Sequence, residues 1–449
     1  MKTRTLTLAV ASALLGMTAQ VQAAGFQLAE TSATGLGRAF AGEAAMADNA
    51  SVQARNPAML SYLKGTQVSG GVIYVRPDID VPGTITLKST KVKDQTIQTS
   101  FAGDAYDVAD SAYIPNFYLS HELNEHVAIG LAINSNYGLS TGVEADHNAA
   151  VFGNKTSVKT VEFNPNIAYR INDVFTLGAG LRIVHGKGEI GGSTPKWSDQ
   201  FRPSIPELPP AGMALKHLEG DDYGYGWQIG SSWQINPSNR IGLSYHSNVD
   251  LNLDGHASGV FYSQKGEQFD GYIPLELPAF AELASYHQLT DNWAMHASVN
   301  WTDWSSFKEL TAHFPSESKP VSLLTGKPME SDLIKQENFK DNWRFALGTT
   351  YQLNQQMTLR GGVAYDRSAV SDEHRTTTIP DSNRLWFSVG MGYQVTKAFD
   401  VDLGVTYIRS VGSASITETV HLSPVTQVAF NGEASGDVVL AGLQMNYKF

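Results

Sequence analysis

The sequence predicts a transmembrane β-barrel of fourteen antiparallel strands, closed by a mainly helical N-terminal hatch inside the lumen. Three observations predict it. Segments of roughly ten residues alternate strictly between apolar and polar side chains. The connections between them are tight and long by turns. Residues 24–65 share neither feature and are rich in Gly, Ala and Asn.

The chain opens on a signal peptide, residues 1–23. Lys2 and Arg4 form a positive start, Leu6 to Val21 carry no charge, and Val21-Gln22-Ala23 sets small residues where a signal peptidase needs them, so cleavage is expected after Ala23. That uncharged run is short for a membrane span of about 20 residues. Losing two positive charges takes the formal net charge from −12 to −14, which argues against a nucleic-acid partner. There is no cysteine, hence neither a disulfide framework nor a thiolate metal site. No later run is long and apolar enough for a membrane helix. Hydrophobic residues make up 42%, which suits a soluble β-protein as well as a membrane barrel.

Periodicity separates the two. In "VVLAGLQMNYKF", Val439, Ala441, Leu443, Met445, Tyr447 and Phe449 fall on one face and Gly442, Gln444, Asn446 and Lys448 on the other. "LWFSVGMGYQV", "WAMHASVNW" and "WRFALGTTYQ" repeat the pattern, with aromatics near the strand ends as in interfacial girdles. Fourteen such segments fall near 66–75, 112–123, 127–139, 157–171, 175–190, 223–235, 240–254, 279–289, 293–304, 343–353, 357–370, 383–395, 399–411 and 438–449. The connections after the even strands are tight ("NEH", "NDV", "NPSN", "TDN", "NQQ", "TKA"), and those after the odd strands are long. A soluble sandwich has no reason to sort its loops by parity. A barrel does, and an even count places both termini on the periplasmic side of a bacterial outer membrane.

Fourteen strands enclose a lumen that needs filling or leaves a pore. Residues 24–65 are expected to fill it as a compact hatch, with 66–449 as the barrel. Phe26, Leu28, Leu36, Phe40 and Leu60 would be out of place in a solvated tail. The loop after strand five carries Trp197, Phe201, Ile205, Leu208, Met213 and Leu215, and the next long loop carries Phe261 and Tyr262. So many apolar side chains outside the membrane suggest a capture groove, or two loops packed on each other.

Catalytic motifs fail inspection. "HELNEH" at His121–His126 has Glu125 where a zinc-protease motif needs histidine. "GLGRAFAG" follows no strand, so it is not a dinucleotide fingerprint. Ser61 and Lys64 have an acyl-enzyme spacing without its companion motifs. His296 and Ser298 both point inward, away from any lipid-facing triad. No enzyme, cofactor or metal is expected.

"AGFQLAETSATGLGRAFAGEAAMADNASVQARNPA" resembles the N-terminal hatch of the long-chain fatty acid transporters of Gram-negative outer membranes, the FadL family. "SNYGL" at Ser135–Leu139, the stretch Leu275–Phe307, "FKDNWRFALGTT", "IPDSNRLWFSVG" and the terminal strand are also similar to that family. The resemblance implies passive uptake of long-chain fatty acids or other hydrophobic compounds. A loop groove captures the ligand, a deeper pocket touched by the extreme N-terminus holds it, and a side opening at a kink in strand three releases it. It implies roles for Asn56, Pro57 and Ala58 in the hatch, for Asn136 and Gly138 at the kink, and for Asp366 as a wall aspartate facing the hatch. Phe26 would touch the pocket, with Trp197 and Phe201 in the groove and Lys335 on a ligand carboxylate. The family's second basic residue falls near Gly192, leaving Lys187, His185 and Lys196 as neighbours that could substitute. That departure keeps uncharged hydrocarbons open as the alternative ligand. The terminal Phe449 resembles the signal read by the barrel assembly machinery; outer-membrane lipid is the remaining partner, and a monomer is expected. A general diffusion porin is the weaker alternative, since it needs no plug and a charged rather than apolar inner loop.

Overall fold

The computed structural model describes residues 25–91, 95–203, 205, 208–263, 265–317, 319–322 and 326–449; the expected signal peptide, residues 1–23, lies outside them. Fourteen antiparallel strands close on themselves. The first six span Thr66–Asp80, Ala112–Glu122, Val127–Asn134 continued by Gly138–Gly142, Lys155–Arg170, Phe175–Ser193 and Ala214–Asn236. The next four each run in two pieces: Asn239–His246 with Val249–Ser258, Phe269–Leu277 with Phe280–Thr290, Trp293–Thr302 with Glu309–His313, and Ser331–Gln336 with Asn342–Gln352. Met357–Asp366, Asn383–Gln394, Phe399–Val411 and Ser435–Lys448 complete the wall. Strand one pairs with strand fourteen from Gln67–Lys448 to Asp80–Ser435, which closes the ring.

The alternation behaves as two solvents require. On strand fourteen Val439, Leu443, Met445 and Tyr447 are exposed on the outside, while Leu440, Gln444 and Asn446 are buried within. Several strands rise higher than their apolar segments suggest. Strand six begins at Ala214, and strand eight at Phe269. Above the membrane band the outer face turns charged, as at Glu219 and Asp221, so the period-two signal fades where the strand continues.

The long connections after strands one and thirteen are also strands. Ser415–Ser423, Thr426–Glu433, Gly83–Lys91 and Gln95–Ala102 pair in that order into a separate four-stranded sheet. Its inner face buries Ile85, Ile416, Val428 and Phe430 with Phe152 and Trp197. This cap stands over the extracellular mouth.

Residues 25–65 lie inside the lumen and are almost wholly buried. Their helical content is one α-turn, Ala33–Leu36, and three 3-10 turns, Glu43–Ala45, Ala50–Ala54 and Pro57–Tyr62. Left-handed Ala39, Phe40 and Gly42 keep the helices short. Ser32, Asn49 and Asn56 each cap a turn by accepting from a backbone N–H two or three residues on.

The wall is cut to receive this chain. A Cβ on Gly230 would lie 1.9 Å from Asn56 Oδ1, one on Gly178 2.2 Å from Ala58 N, and one on Gly362 2.2 Å from Arg38 O. Replacing Gly230 by Val should therefore loosen the hatch and spare the barrel. Overpacking of this kind costs about 1–3 kcal/mol, so limited proteolysis between residues 25 and 65 should accelerate about tenfold or more while the variant keeps the migration of a folded barrel on semi-native gels.

Candidate functional site: a tongue across a break in the wall

Strand three stops pairing as a regular strand at Ser135–Tyr137. The break is held from strand four. Thr160 Oγ1 donates to the Tyr137 carbonyl at 2.7 Å, Ser135 Oγ donates to the Thr160 carbonyl at 2.5 Å, and Asn136 Nδ2 donates to Glu162 Oε2 at 2.8 Å. Glu162 is clamped by Arg182, whose Nε and Nη2 each sit 3.0 Å from a carboxylate oxygen. Arg182 Nη1 donates to the Ser247 carbonyl at 2.5 Å, and the Tyr137 hydroxyl donates to the Pro278 carbonyl. A fork-to-fork pair of this kind fixes direction as well as distance.

The break leaves a gap. Strands two and three pair only from Phe117–Ile133 to Glu122–Ala128, although strand two continues up to Ala112 against strand one. Above the gap the wall closes again, where Gly142 N donates to the Val108 carbonyl and Ala109 bridges Thr141. The buried amide of Asn116 has no protein partner here.

The N-terminal segment lies against this break as a short tongue. Gly138 N donates to the Phe26 carbonyl and Leu28 N to the Asn136 carbonyl, both at 2.8 Å, so Gln27 faces Tyr137 as an antiparallel bridge. Gly138 matters here by its missing side chain, since a Cβ would come 3.2 Å from Leu28 Cδ1. Arg55 Nη2 holds the tongue's far end through the Leu28 and Ala29 carbonyls at 3.3 and 3.1 Å. The next residue, Glu30, is fully buried, and burial pushes its carboxyl up to about 7 against the pull of Arg55 and Arg344. A small polar cavity of about 40 Å³ under the tongue is lined by Leu28, Arg55, Glu282, Arg344 and Asp366. Asp366 thus faces the hatch and accepts from Asn342 Nδ2 at 3.1 Å.

Asn56, Pro57 and Ala58 sit far from the break. Asn56 Nδ2 donates to the Ala44 and Ser231 carbonyls at 2.6 and 3.0 Å, which ties two hatch turns to strand six. These residues anchor the hatch to the wall.

Phe26 points up from the tongue into an aromatic cage. Its ring centroid lies 4.6 Å from Trp304, 5.6 Å from Phe307 and 6.1 Å from Tyr137. Gly25 admits this turn with φ +65, and a Cβ there would meet Trp304. The ring forms the floor of a narrow cavity of about 60 Å³ walled by Leu139, Leu253, Leu275, Phe307 and Ile379. Ile190 and Leu218 line both this slot and a chamber of about 800 Å³ beneath the cap sheet. Chamber and slot therefore share lining residues, and the slot ends on Phe26, whose carbonyl is bonded to Gly138 at the break.

The loop residues divide. Phe261, Tyr262 and Leu215 line the chamber, as does Lys335. Trp197 does not: it is buried and stacked 5.2 Å from Phe101 of the cap sheet, with Phe201 edge-on at 6.4 Å. Their apolar surface packs the cap, so neither lines the slot or the chamber. Gly192 lines the chamber, but Lys187, His185 and Lys196 do not. Lys187 and His185 face outward and meet Glu219 at 3.6 Å and Asp221 at 3.1 Å.

The family model for outer membrane protein transport proteins (OMPP1/FadL/TodX) matches residues 14–449. The chain belongs to this family. Relatives include the 47 kDa outer membrane protein of Pasteurella multocida, 37% identical over 98% of this chain and 97% of that protein. The long-chain fatty acid transport protein of Escherichia coli O6:H1 is 33% identical over 98% of both. Among solved structures, a Pseudomonas aeruginosa FadL homologue superposes with a TM-score of 0.79 at 22% identity, covering 95% of this chain and all of that one. The Pseudomonas putida toluene transporter TodX gives 0.63 at 16% identity, with 95% and 100% covered; both likenesses concern the fold. Membership makes the chain an outer-membrane transport protein and not an enzyme.

Replacing Gly138 by Val should push Leu28 out of register and unseat the tongue. Amide exchange at Leu28 and Gly138 should speed up by about tenfold or more, the equivalent of one or two backbone hydrogen bonds at about 1 kcal/mol each. Unchanged protection at both would dissociate Gly138 from the tongue.

Proposed function

We propose that the protein takes up long-chain fatty acids or similar hydrophobic compounds passively, and that residues 24–65 act as the gate. The observation that carries this reading is the tongue itself: one short segment floors the apolar slot with Phe26 and covers the wall gap with its backbone. A ligand descending from the chamber competes for the space that Phe26 fills. Each methylene it buries contributes about 0.8 kcal/mol.

The energetics suit a gate without an energy source. Releasing two backbone hydrogen bonds costs about 1 kcal/mol each, and unpacking one Phe about 1.5–3 kcal/mol. Gly25 N–H to Asp381, Thr302 to Gln27 and Arg55 to Leu28 add to this cost, so the open tongue is a minor state at rest. A chain lying in the slot replaces the contacts of Phe26 and so shifts that population, as differential affinity must. The exit beside Asn136 and Gly138 then delivers the ligand sideways into outer-membrane lipid, which spares it the polar lower lumen. Asn56, Pro57 and Ala58 hold the rest of the hatch still, and Asp366 faces it across the polar cavity. Trp197 and Phe201 serve the mouth indirectly, by fixing the cap over it.

Native mass spectrometry of the protein purified from membranes, with added oleate or toluene, tests the ligand class and the pocket together. We expect retained long-chain lipid, with retention falling at least tenfold when residues 24–27 are deleted from an otherwise folded barrel. Retention unchanged by the deletion would remove Phe26 from the binding site.

A further inference from the structure

Two lysines and one arginine line the chamber among the described residues, beside His374 and His421, and each of the three already has an acid. Lys216 Nζ lies 2.6 Å from Asp332 Oδ2, which also accepts from the Tyr262 hydroxyl at 2.7 Å. Arg375 Nη1 lies 2.5 Å from Asp372 Oδ1, and its other donors go to backbone carbonyls. Lys335 Nζ lies 3.3 Å from Glu418 Oε1 and donates to Thr378 Oγ1 at 2.5 Å.

The Lys335–Glu418 contact differs from a loose surface pair. The two side chains are only 11% and 10% exposed. The second oxygen of Glu418 is fixed by the backbone N–H and hydroxyl of Thr377 at 2.9 and 3.0 Å. Lys335 and Glu418 come from different parts of the mouth, strand ten and the cap sheet, so the pair also ties the cap to the barrel. Glu337 adds acid on the same side. It is completely buried, and burial pushes its carboxyl up to about 7.

An ammonium group has three protons to donate. Thr378 accepts one in a hydrogen bond, Glu418 balances the charge as an ion pair at 3.3 Å, and at least one remains for an incoming acceptor. A carboxylate seeking the full charge of Lys335 has to displace Glu418 and leave that acid buried without its cation. An ester or hydroxyl asks only for the third proton and disturbs nothing.

We propose that Glu418 is a specificity-determining residue: by occupying Lys335 it sets the chamber to take long apolar molecules with an uncharged polar end in preference to carboxylate anions. This rests on the reading of the chamber as the ligand route. It makes the acid on the cap, rather than the lysine on the wall, the residue that decides which head group is accepted.

The experiment compares oleate with methyl oleate, titrated against the purified full-length protein at pH 8. Methyl oleate should bind the wild type at least as tightly as oleate. Glu418→Gln, which keeps an acceptor for Thr377, should tighten oleate about tenfold or more and leave methyl oleate within twofold. Lys335→Met in that background should abolish the gain. An oleate to methyl oleate ratio unmoved by Glu418→Gln overturns the inference and leaves the route intact. Should that variant fail to assemble, the wild-type ratio still decides, since oleate bound tenfold more tightly than its ester contradicts a pre-occupied Lys335. Binding of neither ligand by the wild type overturns the chamber as the route, and this inference with it.

Discussion

A strand in a bilayer has no water to satisfy its backbone, so a closed barrel has to pair every N–H and C=O of its wall. Strand three gives up that rule at Ser135–Tyr137, and the rest of the architecture follows from how the deficit is met. Strand four supplies Thr160 and Glu162 from one side. The hatch supplies Phe26 and Leu28 from within, through two backbone bonds. The backbone groups of Asn136 and Gly138 are met from the lumen only while the N-terminus is in place. The same segment bonds the broken strand and floors the apolar slot, which is the basis of the gate proposed above.

The remainder of the hatch is held far more firmly than its first four described residues. Arg38 sits between Glu43 and Asp48 at 2.7 Å each, buried. Arg240 and Arg344 reach from the wall to the Ala45 and Ala39 carbonyls. Gln444 bonds both Asn49 and the N–H of Ala33. Removing one partner of such a buried network costs about 3–5 kcal/mol, whereas the tongue is held by two backbone bonds to strand three and by single contacts with Asp381, Thr302 and Arg55. Local opening is therefore expected at the tongue before the body of the hatch.

Much of this was legible in the sequence, for identifiable reasons. Each of the fourteen strands crosses from one solvent boundary to another, so its period-two pattern is written in consecutive residues, and parity of loop length follows from topology alone. The cap sheet is not legible in the sequence, although "TITLKST" and "SITETVHLS" do alternate. Their apolar positions are spaced among Thr, Ser and Lys, and their pairing joins residues more than three hundred positions apart. For the same reason the apolar residues Trp197 and Phe201 looked like a groove: exposure was inferred without the sheet that covers them. The kink could be placed through Gly138, but its supports could not. Glu162, Arg182 and Thr160 are ordinary polar residues on an inward face, distinguished only by what they reach. Glu418 carries no local signal at all, being one acid in a Thr-rich strand until Lys335 arrives from strand ten.

The most direct test of the account is to lock the tongue. Gln27 and Tyr137 face each other as a non-hydrogen-bonded pair, a relation that sets Cα atoms about 4.5 Å apart and that a disulfide can span. The chain has no cysteine, so Gln27→Cys with Tyr137→Cys creates a single controllable bond, with Tyr137→Cys alone as the reference. Transfer of a fluorescent long-chain ligand into vesicles containing the oxidised protein should fall to the level of protein-free vesicles and return to that of the reference on reduction. Equal transfer by the oxidised and reduced forms would show that ligand passes without moving the tongue, and would contradict the account.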